Sequence, residues 1–348
     1  MSLKSTPLPA PGQAQLILHG LGNVNCRVLR ILHDKGETLQ NRYRLHPLIV
    51  GVVDSQGAAW DPRGLDPPEL AALKGAGRSV AEHSAGRPGM SGMELIEQAE
   101  ADVLLEASPL NLETGQPGLN CIRTALSQGM HVVTANKGPL VLAYQELMEL
   151  ARSNGVGIKF SATVGGGLPA VNIGQRDLAG ATILRLEGIL NLTSHYILSQ
   201  MSAGISFEEA LARAQAEGHA EADPRLDVEG WDAAAKLVIL ANAVLGQPTT
   251  LADVQVTSIA GITYEEICQA RAERKIIKPL ASAERRTDRS YGLWVAPTRL
   301  PLYHPLARLT AHQMAVVYHT DIAGTVTAVI DEEEGPHAHG GGDAARSD

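Results

Sequence analysis

A short apolar segment, Gln15–His19, runs directly into Gly20-Leu21-Gly22-Asn23-Val24-Asn25. A helical pattern follows, with Val24, Val28, Leu29, Ile31 and Leu32 on its apolar side. Strand, glycine turn and helix in that order admit few folds. The first glycine permits a tight turn and the second lets backbone amides approach a pyrophosphate at the helix N-terminus. The pattern therefore predicts a dinucleotide-binding turn at Gly20, Gly22, Asn23 and Val24. Asn25 stands in the third glycine position, which serves helix–strand packing, so a somewhat displaced helix is expected. A plain structural turn is the competing reading of so short a motif.

The next strand, Leu45–Val53, is apolar nearly throughout, as a parallel strand buried on both faces should be. It ends in Asp54, placed to hydrogen-bond an adenosine ribose and so to favour NAD over NADP; a turn-forming role before Ser55-Gln56-Gly57 is the alternative. Residues 55–92, rich in Gly, Pro and Ser, read as an elaborated loop with one short helix near Pro67–Leu73. Order resumes with a helix near Met93–Ala99, a strand Ala101–Glu106, a helix near Leu119–Gln128, a strand His131–Thr134 and a helix from Pro139 to about Arg152. This alternation makes residues 1–150 an α/β, Rossmann-like domain with a doubly wound parallel sheet. Ser108 and Lys137 each follow a strand's carboxyl end, where such sheets bind ligands; for Lys137 a plain surface lysine is the alternative.

Residues 151–330 read as a second domain. Val156–Phe160 is a strand leading to Ala162-Thr163-Val164-Gly165-Gly166-Gly167-Leu168-Pro169, whose glycines leave backbone groups bare for an ion. Ile183–Ile189 and the following Asn191–Tyr196 read as strand and turn. Ser206-Phe207-Glu208-Glu209 opens a helix to about Glu217, and Val316–Ile330 supplies one or two further strands. The chemistry concentrates in Gly218–Leu240. Glu221, Asp223, Asp227 and Glu229 crowd a turn around Pro224, before a helix that carries Asp232 and Lys236 four residues apart on one face. Acids facing a helix-held ammonium suit a small zwitterion beside a proton donor; a solvated loop with one surface ion pair is the alternative. The last stretch, 331–348, reads as a flexible tail in which His337 and His339 are not metal ligands.

Composition narrows the partners. A net charge of -9 argues against nucleic acid or anionic membranes, which need a basic surface. There is no 18-residue apolar run and no secretory core in the first residues, so no membrane partner is expected. Cys26, Cys121 and Cys268 are far apart and odd in number, which fits a reducing cytoplasm.

With GLGNV, EASPLNLETGQPGL, HVVTANKGPL, ATVGGGLP and AQAEGHAEADPRLDVEGWDAAAKLVIL in view, the chain resembles homoserine dehydrogenases of the short form without a C-terminal regulatory domain, over roughly residues 15–330. The resemblance implies NAD(P)-dependent interconversion of L-aspartate 4-semialdehyde and L-homoserine. It also implies that the second domain is an α+β catalytic and dimerisation domain, giving a homodimer or higher homo-oligomer. Residue by residue, it makes Lys236 the proton donor, Asp232 its acidic partner and Lys137 a second active-site lysine near the nicotinamide. It makes Glu221 the ligand of the substrate amino group, with Asp227 and Gly166 close by, and Ser108 a cofactor contact. The backbone of Val164, Gly166 and Leu168 matches a loop that holds Na+ or K+ in some members, although Ser161 stands where the family has a glutamate ligand. Leu192 and His195 break the family's Asn-Gly-Thr-x-Asn-Tyr pattern. Two other readings stand beside this one: a diverged dehydrogenase for a related amino-acid aldehyde, and a non-catalytic nucleotide-binding regulatory protein.

Overall fold

The computed structural model describes residues 12–332, which form two compact units divided between Thr163 and Val164. His337, His339 and all but the first two residues of the expected tail lie outside the described residues.

The first unit holds strands β1 (Gly12–His19), β2 (Leu45–Asp54), β3 (Gly57–Trp60), β4 (Gly86–Pro88), β5 (Val103–Glu106), β6 (His131–Thr134) and β7 (Ile158–Lys159). Its helices are α1 (Asn23–Asp34), α2 (Gly36–Tyr43), α3 (Pro67–Gly75), α4 (Gly92–Gln98), α5 (Gly118–Ser127) and α6 (Lys137–Ser153). The sheet runs β4-β3-β2-β1-β5-β6-β7. From β2 to β7 the pairing is parallel, whereas β3 and β4 extend the sheet antiparallel. Strand alternation sorts β1: Leu16 and Leu18 join Leu29 of α1 and Leu70 of α3 in one core, which turns Ile17 and His19 to the opposite face. Two strands thus occupy a stretch expected to be loop. They are too short for alternation to register, and Gly57 is required there: its φ is +154°, and a Cβ would lie 2.5 Å from the Arg87 carbonyl oxygen.

The second unit opens with a short helix, α7 (Ala170–Asn172), that continues as a π turn to Asp177. Strands β8 (Ile183–Ile189), β9 (Val254–Val256), β10 (Lys275–Arg285), β11 (Tyr291–Pro301), β12 (Gln313–Thr320) and β13 (Thr325–Asp331) form one sheet in the order β13-β12-β8-β10-β11-β9. It is antiparallel except where β9 pairs with β11. Helices α8 (Leu192–Ser202), α9 (Phe207–Ala216), α10 (Arg225–Val228), α11 (Trp231–Ala243) and α12 (Tyr264–Ala272) complete the unit, with α8, α11 and α12 packed on β10. The segment after β8 is therefore helix, not strand and turn. Its Thr, Tyr and Ile favour strands weakly, and the cap prevails: the Asn191 side chain accepts from the Ser194 N–H, and the helix buries Tyr196, Ile197, Leu198 and Met201 in the core.

On β12, next to the edge strand β13, Tyr318 is wholly buried and donates its hydroxyl to the Ala170 carbonyl at 2.7 Å, tying β12 to α7. Tyr318→Phe removes that tie and leaves the Ala170 carbonyl with the Ile173 N–H alone. Urea denaturation is expected to show a loss of about 1–2 kcal/mol with the slope unchanged.

Candidate functional site

In the first unit the carboxyl ends of β1, β2 and β5 frame a cavity of about 530 Å³, walled by His19, Gly20, Gly22, Asp54, Lys74 and Ser108 among others. Gly20 has φ +83°, and a Cβ on it would lie 2.6 Å from the Ala107 carbonyl oxygen and 2.7 Å from the Ser108 amide. Any side chain would collide with the start of the segment after β5. The Gly20 and Leu21 amides are both taken by the Val53 carbonyl, at 3.0 and 3.1 Å. The amides left for an anion are those at the start of α1, which has no side-chain cap and no acid in its first turn. This turn and helix terminus fit a dinucleotide pyrophosphate. Asn25 is accommodated without the missing glycine. Its buried side-chain amide donates to the His19 and Gly20 carbonyls at 3.2 and 3.0 Å, so it clamps the turn instead of spacing the helix away.

Asp54 is where the expectation needs correcting. Its carboxylate already accepts from Gln56 N–H at 3.0 Å, Ser79 Oγ at 2.8 Å, Val80 N–H at 3.0 Å and Lys74 Nζ at 3.1 Å. Four donors fill the acceptor positions of one carboxylate, leaving none for a ribose diol. Partial burial pushes this carboxyl up, but the donors outweigh it and hold Asp54 below its ordinary value. The ground for favouring NAD over NADP thereby falls away, and Lys74 puts a cation on the cavity wall beside it.

Glu106, which the sequence did not single out, organises the crevice floor. It accepts from the Ser108 N–H at 2.9 Å, from the Ser108 hydroxyl, from Thr134 Oγ1 at 2.9 Å and from Asn136 Nδ2 at 3.5 Å. Burial opposes its charge, yet His19 and Ser108 hold it below the ordinary carboxylate value. Asn136 in turn caps α6 by accepting from the Gly138 N–H at 3.0 Å, which places the half-buried Lys137 as the first residue of that helix. Ser108 lines the cavity with its hydroxyl proton committed to Glu106.

In the second unit the acid–lysine stretch folds into a hydrogen-bonded cluster at the start of α11. Lys236 Nζ lies 2.7 Å from Asp232 and donates to the Leu190 carbonyl at 2.5 Å. Asn191 Nδ2 donates to both Asp227, at 2.6 Å, and Asp232, at 2.8 Å. Burial first, and then the charge of Asp232, push Asp227 above its ordinary value, against the pull of Asn191 and Lys236. Asp232 and Lys236 are not a surface pair: each side chain is 12% exposed. Glu221 is exposed and outside this network, with no side-chain partner among the described residues; Asp223 pairs locally with Arg225. Gly165 and Gly166 adopt positive φ, while the Leu168 carbonyl accepts from the Ala170 N–H at 2.8 Å.

His195 is a core residue. Wholly buried, it sets Nδ1 on the Gln313 carbonyl at 2.9 Å and Nε2 against Lys278 Nζ at 2.6 Å. Burial and the Lys278 charge bring His195 down to about 3, and burial brings Lys278 down to about 8. Asn191 was hidden because its segment does not read as a helix, although an Asn three residues before Ser194 is a recognisable cap. Among the described residues no helix is long and apolar enough to cross a membrane, and no group of three or more His, Cys, Asp or Glu is arranged to hold a metal.

The family profile described as homoserine dehydrogenase matches residues 169–342, and that described as its NAD-binding domain matches residues 20–161. The chain is similar to the homoserine dehydrogenase of Methanocaldococcus jannaschii, 38% identical over 90% of this chain and 92% of the relative. It is also similar to the NAD(+)-dependent homoserine dehydrogenase of Pseudomonas canavaninivorans, 36% identical over 90% of this chain and 89% of the relative. A hyperthermophilic archaeal homoserine dehydrogenase solved in complex with NADPH superposes with a TM-score of 0.79 at 25% identity, covering 93% of each chain.

If Asp54 is a staple, Asp54→Asn sets an amide donor against the Lys74 and Val80 donors, and urea denaturation should show a loss of about 1–3 kcal/mol near neutral pH. The folded-state value of Asp54 is depressed, so its contribution is present above the unfolded value and lost as pH falls through the folded one. The gap between wild type and variant should therefore narrow as pH falls below the ordinary carboxylate range.

Proposed function

The chain belongs to the homoserine dehydrogenase family, and from that premise we propose how its residues divide the work. It is an NAD(P)-dependent oxidoreductase acting on a CH–OH group, and it interconverts L-homoserine and L-aspartate 4-semialdehyde. The first unit holds the dinucleotide at the Gly20–Val24 turn; the second holds the amino acid and the proton donor. When bound, the nicotinamide supplies a hydride in one direction and receives it in the other.

The observation that carries the assignment of the proton donor is the setting of Lys236. An ammonium has three protons. Asp232 and the Leu190 carbonyl engage two of them, which leaves the third for a substrate oxygen. In reduction the aldehyde carbon gains the hydride, and Lys236 Nζ gives its third proton to the developing alkoxide; oxidation runs the reverse. Asp232 keeps the ammonium aimed, and Asn191 keeps Asp232 in place. Glu221, exposed and without a side-chain partner among the described residues, suits the substrate's amino group, with Asp227 and the Gly166 backbone completing that end. Lys137, at the head of α6, supplies the second cation of the family's chemistry.

Coenzyme choice is open to both forms in this reading, because Asp54 is saturated and Lys74 tolerates a 2′-phosphate. A Na+ or K+ ion on the Val164, Gly166 and Leu168 backbone belongs to the proposal through the family resemblance alone, and no step of the chemistry needs it. A homodimer through the second unit is supported by that resemblance and by apolar side chains left exposed on its sheet, Leu184 and Val329. A cytoplasmic location fits the free thiols of Cys26, Cys121 and Cys268.

Lys236→Ala is expected to lower kcat for homoserine oxidation by about a hundredfold or more while NAD binding, measured by calorimetry, is kept. Unchanged turnover would remove Lys236 from the proton-transfer role.

A further inference from the structure

The chemistry above leaves one buried ionisable cluster in the first unit without a role. His19 ends β1 and is only 5% exposed, yet it forms part of the crevice wall. Its register partner on β5 is Glu106, whose Oε1 lies 3.6 Å from Nδ1. On the other side Cys121 Sγ of α5 lies 3.7 Å from Nε2. The start of α4 closes the third side with Gly92, where a Cβ would lie 2.5 Å from His19 Cδ2, so that residue brings no charge. Glu106 is fixed as an anion by donors from Ser108, Thr134 and Asn136, while Nδ1 of His19 has no hydrogen-bond partner. An imidazole facing a fixed carboxylate is favoured in its protonated form.

We propose that His19 is a cofactor-positioning residue: an imidazolium, kept charged by Glu106, that adds a positive charge to the phosphate-binding turn beginning at the next residue. The ligand chemistry it recognises is the pyrophosphate of the dinucleotide, so the inference rests on the assignment of this crevice to NAD(P). The need is one of magnitude. A helix N-terminus offers roughly half an elementary charge against the two negative charges of a pyrophosphate. The cavity's other cation, Lys74, is bound directly to Asp54, the residue after the β2 register partner of His19. Burial works against the charge on His19, but its contacts with Cys121 and Glu106 outweigh it and raise His19 to about 9. The imidazolium is therefore present at neutral pH and is lost as pH rises through about 9.

Calorimetric titration of wild type and His19→Gln with NAD, ADP-ribose and adenosine, at about pH 7 and about pH 10, tests this. Wild type should lose roughly fivefold in NAD affinity at the higher pH, whereas the variant should bind weakly and equally at both. ADP-ribose, which keeps the pyrophosphate, should follow NAD, and adenosine should not respond. Equal NAD affinity in the two proteins near pH 7, or an equal loss for adenosine, overturns the proposal. An NMR titration of the His19 ring in the wild type does not depend on the variant folding. A midpoint near 9 that NAD binding moves upward supports the charge, and a midpoint near the ordinary 6.5 overturns it. Wild-type protein that binds neither NAD nor NADP overturns the crevice assignment itself, and the proposal with it.

Discussion

One amide holds the chemistry of the second unit together. Asn191 Nδ2 lies between Asp227 and Asp232, and its Oδ1 accepts from Ser194 at the start of α8. Two carboxylates brought this close repel each other and resist ionisation. The shared amide donor and the Lys236 ammonium offset that repulsion, so both helices can begin at the same place. Lys236, one turn into α11, is then held at two of its three protons by fixed acceptors. A free lysine side chain carries about 2 kcal/mol of rotamer entropy. Here that entropy is lost on folding, and the ammonium is already aimed when substrate arrives.

Glu106 plays the matching part in the first unit, and its position explains several sequence choices at once. A buried carboxylate costs several kcal/mol unless its acceptors are filled, and the turn after β5, the end of β6 and the cap of α6 all donate to it. Gly118 at the head of α5 must be glycine for the same reason: a Cβ there would lie 2.8 Å from Glu106 Oε1 and 2.9 Å from Asn136 Nδ2. Through Asn136 the same carboxylate sets the start of α6 and hence the backbone that carries Lys137. Both units therefore use a side-chain amide at a helix cap to convert a buried acid into a placed lysine.

What could be read in the sequence was whatever is local. The Gly20–Gly22 turn, the strand–helix alternation of the first unit and the Asp232–Lys236 spacing all depend on neighbours within one or two turns, and each was legible. Asp54 shows the limit. An acid at a strand's end was visible, but its partners Lys74, Ser79 and Val80 lie 20 to 26 residues away and turn a ribose ligand into a staple. Asn25 was read as a departure from a glycine, and only the carbonyls it meets show that it closes the same turn by hydrogen bonding. Asn191 and Glu106 were missed for opposite reasons. The first sits before a helix whose composition favours strand, and the second is a lone acid whose donors converge on it only in the folded sheet.

The central claim is that Asn191 acts through Asp232 on the Lys236 ammonium. A double-mutant cycle on kcat for homoserine oxidation, with Asn191→Ala, Lys236→Met and the two combined, tests it most directly. If the amide works by holding the proton donor, the combined variant should be no slower than Lys236→Met alone. Losses that multiply would mean that Asn191 contributes independently of Lys236, and would contradict the account.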